Sequence, residues 1–250
     1  MTADLVLLAH GSPDPRHAQG VERVAERVRR LAPGRQVRTA YLDHHPPSPR
    51  DVAAELTGGV LVPLLLTTAY HVRVDVPAAA AAMEAVGRGG YVVAAALGPD
   101  ELLFEACEQL LALAGFAPDV RSAVVLFAGG SSDRAAVAAI GAAAADRRTD
   151  GWGPWTVAAL AGGETLAQVA SRLPADAVPE RVLVVSYMVA DGVLRDRMAD
   201  QCEAAGVTLV PGTLGETDAL AELILQRAAA GLGSQPGRTD QGGPRVGAER

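Results

Sequence analysis

The chain repeats a distinctive stretch of sequence about halfway along its length. The first copy begins with LLAHGSPD (Leu7–Asp14), and the second begins 119 residues later with LFAGGSSD (Leu126–Asp133). Further on, VLVPLLL (Val60–Leu66) is matched 122 residues later by VLVVSYM (Val182–Met188). A chain of 250 residues supplies one or two domains at roughly 150 residues each. The repeat therefore predicts two lobes that share one fold.

The repeat also sets the expected lobe boundaries. Leu97-Gly98 returns 117 residues later as Leu214-Gly215, so the match continues to the end of each half. We expect an N-terminal lobe at residues 1–115 and a C-terminal lobe, a degenerate copy, at residues 122–230, joined by Gly115–Arg121. Residues 232–250 are rich in Gly, Pro and Gln and have no apolar period, which predicts a disordered tail.

Apolar runs of strand length alternate with segments of helical period in both halves. We predict strands at Leu5–Ala9, Gln36–Leu42, Val60–Leu66, Tyr91–Leu97, Ala123–Ala128, Thr156–Leu160, Arg181–Met188 and Val207–Pro211. Because these runs are continuously apolar, both faces of each strand should be buried, as in a parallel sheet covered by helices. The predicted fold class is α/β, with two similar doubly wound lobes of tandem βα repeats facing a cleft. A single TIM barrel of eight βα units is the alternative.

Two positions make the prediction more specific. Asp14 followed by Pro15 is typical of the start of a helix, with Asp14 as the N-cap residue and Pro15 at the first helical position. Pro63 lies inside the third predicted strand, where it removes a main-chain donor. We therefore expect a bulge or a sheet edge at Pro63.

Composition excludes several classes of function. The net charge is −7 and aromatic residues make up 4% of the chain, so neither a basic surface nor a stacking platform for nucleic acid is expected. Cys107 and Cys202 lie in helical segments and are expected to be buried thiols, without a disulfide framework. No apolar run reaches the ~18 residues of a membrane span, and no signal peptide is evident. We expect a soluble cytoplasmic protein, a monomer or homodimer, that binds neither nucleic acid nor membranes.

Three residues that can bind metal follow strands of the first half. His10 ends the first predicted strand, Asp43 ends the second, and His71 follows the third. Because the carboxyl ends of parallel strands meet at one edge of a sheet, active sites gather there. Imidazole nitrogen with a carboxylate oxygen suits Fe²⁺, Co²⁺, Ni²⁺ or Zn²⁺ better than Ca²⁺ or Mg²⁺. Such a small ligand set leaves coordination positions open, which favours delivery of a metal over a structural site.

The repeat separates structural residues from candidate functional ones. Asp14 and Ser12 have counterparts in Asp133 and Ser131, as helix capping requires in both halves. The three candidate ligands have no such counterparts; by sequence offset they align with Gly129 (for His10), Gly162 (for Asp43) and Val193 (for His71). The pattern indicates one retained site, on the N-terminal lobe.

The remaining histidines receive weaker assignments. His44 and His45 are predicted to be solvated loop residues or substrate contacts, and His17 is placed on the exposed side of the first helix without a function. A phosphate-ester hydrolase that uses His10 is a further alternative, but Ala9 stands where a histidine phosphatase has arginine. No GxSxG or phosphate-binding loop follows a strand.

Several motifs together resemble one known family. They are AHGSPDPR (Ala9–Arg16), YLD (Tyr41–Asp43), VPLLLTTAYHVRVDVP (Val62–Pro77) and LGPDELL (Leu97–Leu103), followed in the second half by AGGSSDR and SYMVADGVLRDRM. The chain resembles, over residues 1 to about 230, the two-lobe form of the CbiX/SirB-type class II chelatases, which insert a metal into sirohydrochlorin. The resemblance implies a lyase-class metal chelatase of sirohaem or cobalamin biosynthesis.

The resemblance also implies roles for individual residues. His10 and His71 correspond to the catalytic, metal-binding pair, and Asp43 takes the place of a third ligand that is usually Glu. The expected contacts to sirohydrochlorin, which carries eight carboxylates, are Ser12, Arg16, His44, Arg73, Val193 and Arg195. Arginine side chains are suited to carboxylates because they bind them through two hydrogen bonds.

The metal itself is expected to be a substrate, Fe²⁺ or Co²⁺, with Ni²⁺ or Zn²⁺ accepted in vitro. The C-terminal residues contain neither His nor Cys, so no iron–sulfur cluster is expected. A carrier that binds metal or tetrapyrrole without turnover, on the same fold, is the alternative, because a fold does not fix a function.

Overall fold

The computed structural model describes residues 3–67, 74–131, 133–146, 151–173 and 181–233. The strands are β1 (Leu5–Ala9), β2 (Val37–Tyr41), β3 (Gly59–Pro63), β4 (Tyr91–Val93), β5 (Ala123–Ala128), β6 (Trp155–Ala159), β7 (Val182–Tyr187) and β8 (Thr208–Leu209). The helices are α1 (Pro15–Leu31), α2 (Pro49–Glu55), α3 (Asp75–Glu84), α4 (Glu101–Leu113), α5 (Arg134–Asp146), α6 (Leu166–Arg172), α7 (Val193–Ala205) and α8 (Asp218–Gly233). A 3₁₀ turn at Leu214–Glu216 precedes α8.

The strands form two separate sheets with the same topology. The first has the order β2-β1-β3-β4 and the second the order β6-β5-β7-β8, and every described pairing is parallel. Two open four-stranded sheets are incompatible with a single closed barrel of eight strands. The prediction of an α/β fold with two similar doubly wound lobes is therefore confirmed.

The structure corrects the alignment of the repeat by one residue in two places. Leu5 pairs with Val60 in the first sheet, and its counterpart Val124 pairs with Leu183 in the second. The third strands are therefore 123 residues apart, one more than the sequence match of 122. The same comparison at β2 and β6 places Ala161, not Gly162, opposite Asp43. Apolar runs without alternation fix register poorly, since a shift by one residue still buries every side chain.

Pro63 is the last residue of β3, paired with Leu8. Strand β3 lies between β1 and β4, so the expected local break in the sheet at Pro63 occurs on an inner strand and not on an edge strand. The proline is tolerated because β4 pairs with β3 only as far as Leu61. Its missing N–H thus falls beyond the part of β3 that β4 covers.

Helix α1 forms as its sequence predicts. The Asp14 side chain accepts a hydrogen bond from the Arg16 N–H, which caps the helix, and Pro15 occupies its first position. Val21, Val24 and Val28 lie on one face and are buried. This apolar face packs toward the core of the first lobe.

The last helix of each half crosses to the other lobe. Helix α4 contacts β7 of the second sheet, and Phe104 meets Trp155 edge to face, with ring centroids 6.1 Å apart. Helix α8 in turn contacts β3 and β4 of the first sheet. One buried apolar cluster therefore runs through both lobes. The domain boundaries at 1–115 and 122–230 stay a prediction, and the predicted tail from residue 232 begins inside α8.

Two further predictions concern the cysteines and the membrane. Cys107 and Cys202 are buried free thiols, as predicted. Among the described helices, none combines the length and the apolar character that crossing a bilayer requires.

Candidate functional site

Strands β1 and β2 bring His10 and Asp43 together. The Asp43 N–H donates a hydrogen bond of 2.9 Å to the His10 carbonyl, and the Leu42 N–H donates one of 3.0 Å to the Ala9 carbonyl. The sheet pairing thus continues past the strand ends and fixes the two residues side by side. The predicted proximity of these two residues is present in the structure.

Asp43 also orders the loop that follows it. Its carboxylate accepts a hydrogen bond of 2.8 Å from the His44 N–H, and Asp43 Oδ2 lies 3.5 Å from His44 Nε2. His44 has a φ of 64°, an uncommon value for a residue with a side chain. The His45 ring lies against Tyr41, with centroids 4.8 Å apart. The Asp43 side chain is 65% exposed, so it is available to a ligand from solvent.

His10 and Asp43 border a cavity of about 490 Å³ on the first lobe, between α2 and α3. The other described residues that line it are Leu42, Ser48, Pro49, Arg50, Asp75, Ala78, Ala79 and Ala82. Its wall combines two carboxylates, one guanidinium and one imidazole with a largely alanine floor. Such a mixture accepts a polar or metal-bearing ligand more readily than an apolar one.

His10 also borders a second cavity of about 190 Å³, here called the interlobe cavity. The first lobe contributes Ala9, His10, His17, Val21, Leu64, Leu65 and Leu66, and the second contributes Gly129, Tyr187, Met188, Val189 and Ala190. The two lobes approach closely beside it, because a Cβ atom on Gly20 would lie 2.6 Å from the Ala190 Cβ. One histidine thus faces both the outer cavity and the space between the lobes.

His17 does not lie on the side of α1 that was predicted for it. It is half-buried and lines the interlobe cavity, rather than lying on the exposed side of α1. Its Nδ1 atom is buried and has no hydrogen-bond partner among the described residues. Burial lowers the pKa of His17, and the charge of His10 lowers it further. The signal was in the sequence: His17 precedes the buried Val21 and Val24 by four and seven residues, which places it on the same helical face.

Two predicted site residues lie outside the described residues, namely His71 and Arg73. Within the described ranges, no group of three or more His, Cys, Asp or Glu side chains is arranged to hold a metal ion. The described structure therefore contains part of the predicted ligand set, His10 and Asp43.

Two of the predicted substrate contacts have partners at the start of α1. Ser12 Oγ accepts a hydrogen bond of 3.1 Å from the Asp14 N–H, and Ser131 Oγ accepts one of 3.0 Å from Asp133 in the second lobe. Arg16 bridges the lobes, with its guanidinium donating to Asp14 at 2.6 Å and to Asp196 at 2.6 and 3.0 Å. The presence of the serine turn in both lobes indicates that Ser12 has a structural role.

The predicted contacts on the second lobe lie at the first turn of α7. Val193 is 48% exposed, so its apolar side chain is available at the lobe surface. The Arg195 guanidinium donates to the carbonyls of Gly212 at 3.2 Å and Val210 at 3.3 Å, and its Nε lies 3.4 Å from Asp191. Arg195 therefore holds α7 to the loop after β8.

The fold is shared with solved structures of two-lobe chelatases. The structure is similar to that of SirB from Bacillus subtilis with Fe³⁺, at 21% identity, a TM-score of 0.73, and coverage of 94% of this chain and 98% of that one. It is similar to SirB from Bacillus subtilis subspecies spizizenii in complex with cobalt, at 18% identity and a TM-score of 0.68, with coverage of 92% of this chain and 94% of that one. It is similar to CbiX, described as the terminal enzyme for siroheme biosynthesis in denitrifying bacteria, at 18% identity and a TM-score of 0.59. The match covers 91% of this chain and 98% of that one.

A family model matches the first part of the sequence. Residues 4–114 match the CbiX family model, a range that contains β1 to β4, His10 and Asp43. No curated protein matches the chain. This match covers the N-terminal lobe, and the predicted resemblance to the CbiX/SirB-type chelatases is confirmed.

Proposed function

We propose that the protein is a sirohydrochlorin chelatase that inserts a divalent metal ion into its tetrapyrrole substrate. The observation that carries this proposal is the location of His10 at the carboxyl end of β1, where it faces the space between two CbiX/SirB-type lobes. The matching position of the second lobe is Gly129, which has no side chain to compete for the ion. One lobe thus supplies the metal-binding side chain and the other an apolar surface.

The reaction requires a group that accepts protons. Insertion replaces two pyrrole N–H protons by one metal ion, while the ion exchanges its first ligands for the ring nitrogens. A neutral imidazole can hold the ion or accept a proton, since its unperturbed pKa of about 6.5 lies near physiological pH. We assign these roles to His10 together with His71, and the role of a third, weaker ligand to Asp43.

The substrate contacts follow from the groups around His10. Leu65 and Leu66 of the first lobe and Val193 of the second are apolar surfaces suited to the faces of a macrocycle. For the substrate carboxylates, we propose Arg73 ahead of Arg16 and Arg195, because the last two already bind protein oxygens. We further propose Ser12 and His44 as polar contacts at the rim.

Both Fe²⁺ and Co²⁺ fit the proposed ligands. Nitrogen and carboxylate donors bind either ion, and the general order of affinity among divalent metals does not select between the two. The metal enters as substrate, so its identity decides between sirohaem and cobalamin biosynthesis. Ni²⁺ and Zn²⁺ are expected to compete in vitro.

The experiment that tests this function counts turnovers. Protein is incubated without oxygen with an excess of sirohydrochlorin and either Fe²⁺ or Co²⁺, and the product is followed by absorbance against a reaction without protein. A chelatase forms many equivalents of product per protein chain. A carrier, the competing proposal, binds one equivalent and leaves the spontaneous rate unchanged.

A further inference from the structure

We propose that His17 is an additional histidine ligand, which helps His10 to hold the incoming divalent ion in the interlobe cavity. The inference rests on the proposed function only in treating this ion as the substrate of the reaction. It adds to that function a named ligand on α1, where His17 was expected to face solvent.

The chain geometry brings the two imidazoles to one space. His10 ends β1, the chain turns through Gly11–Asp14, and His17 is the third residue of α1. Both histidines border the interlobe cavity. The two side chains therefore approach one space from a strand end and from the first helical turn after it.

The state of His17 suits a metal ligand. Its Nδ1 atom is buried and has no hydrogen-bond partner among the described residues. A buried nitrogen without a partner costs free energy, and a rotation of the ring that brings Nδ1 onto a bound ion would remove that cost.

The cavity has room for an ion that still carries water. Its volume is about 190 Å³, whereas a water molecule occupies roughly 30 Å³. The described second-lobe residues that line it include neither histidine nor carboxylate. An ion held by His10 and His17 would therefore keep open positions on the side of the second lobe, as transfer to a macrocycle requires.

The test measures metal binding in the absence of tetrapyrrole. The full chain, without affinity-tag histidines, is titrated with Co²⁺ under anaerobic conditions, and both the dissociation constant and the visible ligand-field spectrum are recorded. The variants are His17→Ala, His17→Gln and His10→Ala. Arg38→Gln is the control, because Arg38 is exposed and does not line the interlobe cavity. Metal-free thermal unfolding establishes that each variant is folded.

We expect both His17 variants to bind Co²⁺ at least about tenfold more weakly, since even the loss of an outer partner of a ligand typically costs 10–100-fold. Their spectra should change, whereas Arg38→Gln should match the wild type. Unchanged affinity and an unchanged spectrum in folded His17 variants would overturn the inference. If the variants fail to fold, the wild type is titrated with Zn²⁺ and the ring ¹⁵N NMR signals of His17 are followed. These signals shift if His17 is a ligand and stay unchanged if it is not.

The outcome is separable from that of the proposed function. Metal insertion by the wild type, measured in parallel, tests the chelatase activity directly. Normal turnover with Co²⁺ binding that is indifferent to His17 removes this inference and leaves the function standing. Co²⁺ binding that depends on His17, without any turnover by the wild type, supports this inference and contradicts the proposed function.

Discussion

The carbonyl oxygen of Asp43 lies 1.8 Å from the point that a Cβ atom on Gly11 would occupy. Gly11 also has a φ of +94°, which side chains rarely permit. The second lobe repeats the arrangement, because a Cβ atom on Gly130 would lie 2.1 Å from the Ala161 carbonyl oxygen. This close approach of two chain segments places His10 beside Asp43 at the edge of the sheet.

Replacing Gly11 by alanine should therefore displace the candidate site as well as destabilise the fold. Gly34→Ala is the matched control, since Gly34 has a similar φ of +85° but open space around it. The unfavourable φ alone should cost Gly34→Ala about 1–2 kcal/mol. Gly11→Ala should cost more than that, because its Cβ must also push the Asp43 carbonyl away. Urea denaturation of both variants measures the difference, and equal losses of stability would contradict the account.

The Arg16–Asp196 ion pair between the lobes should depend on acid pH. Hydrogen bonds from Arg16 lower the pKa of Asp196, and they are also the largest cause of the lowered pKa of Asp14. Below the unfolded-state pKa of about 3.9, the unfolded chain binds more protons at these positions than the folded chain. The stabilisation by Arg16 should thus be complete above about pH 5 and should disappear as the pH falls through the lower, folded-state pKa values.

Urea denaturation of the wild type and Arg16→Gln across this pH range provides the measurement. The Asp119 carboxyl, whose pKa Arg121 holds at about 2, is present in both proteins, so its own acid dependence cancels from the difference. A stability difference between the two proteins that stays constant from pH 7 to pH 2.5 would show that Arg16 does not act through these carboxylates.

Arg227 lies on α8, the helix that crosses to the first lobe, and it has a structural role there. From α8 it donates to the carbonyls of Ala96 at 2.9 Å and Leu97 at 3.0 Å, and to Asp100 at 2.7 Å. Its side chain is 22% exposed. Arg227→Gln should lower the free energy of unfolding by about 1.5–3 kcal/mol, as expected for partly buried hydrogen bonds from a charged group. Unfolding should remain a single transition, because each lobe carries a helix of the other.

Arg38→Gln serves as the comparison for Arg227→Gln. Arg38 pairs with Glu55 at 3.4 Å, but both side chains are about half exposed or more, at 49% and 65%. A surface ion pair of this kind contributes roughly 0–1 kcal/mol. If both variants lose the same amount of stability, then Arg227 does not anchor α8.

The sequence predicted those features that depend on local pattern. The strands β1 and β5 match their predicted bounds, since apolar runs flanked by polar residues mark such strands clearly. The adjacency of His10 and Asp43 followed from parallel strand order, because both residues come directly after neighbouring strands. Because the sequence repeats, the prediction for the first lobe also predicted the fold of the second.

Features that depend on contacts between distant residues were not predictable in this way. Arg16 was expected to bind substrate, but its partner Asp196 lies 180 positions along the chain. The crossing of α4 and α8 depends on which sheet offers each apolar helix the better contact, and the hydrophobic pattern is the same in either case. The location of His17 could have been predicted, because its helical spacing from Val21 places both residues on one face. It was missed because histidine is polar and was assigned to the exposed face.

The measurement that tests the central claim most directly is anaerobic metal insertion by the wild type, His10→Ala and, as the control, the surface variant Arg38→Gln in parallel. Sirohydrochlorin is supplied in excess with Fe²⁺ or Co²⁺, and the initial rate is followed by absorbance. We predict multiple turnovers by the wild type and by Arg38→Gln, and a loss of at least about 100-fold in His10→Ala, as expected when a catalytic acid–base group is removed. Insertion that never exceeds the spontaneous rate, or that is unaffected by His10→Ala, would contradict the account.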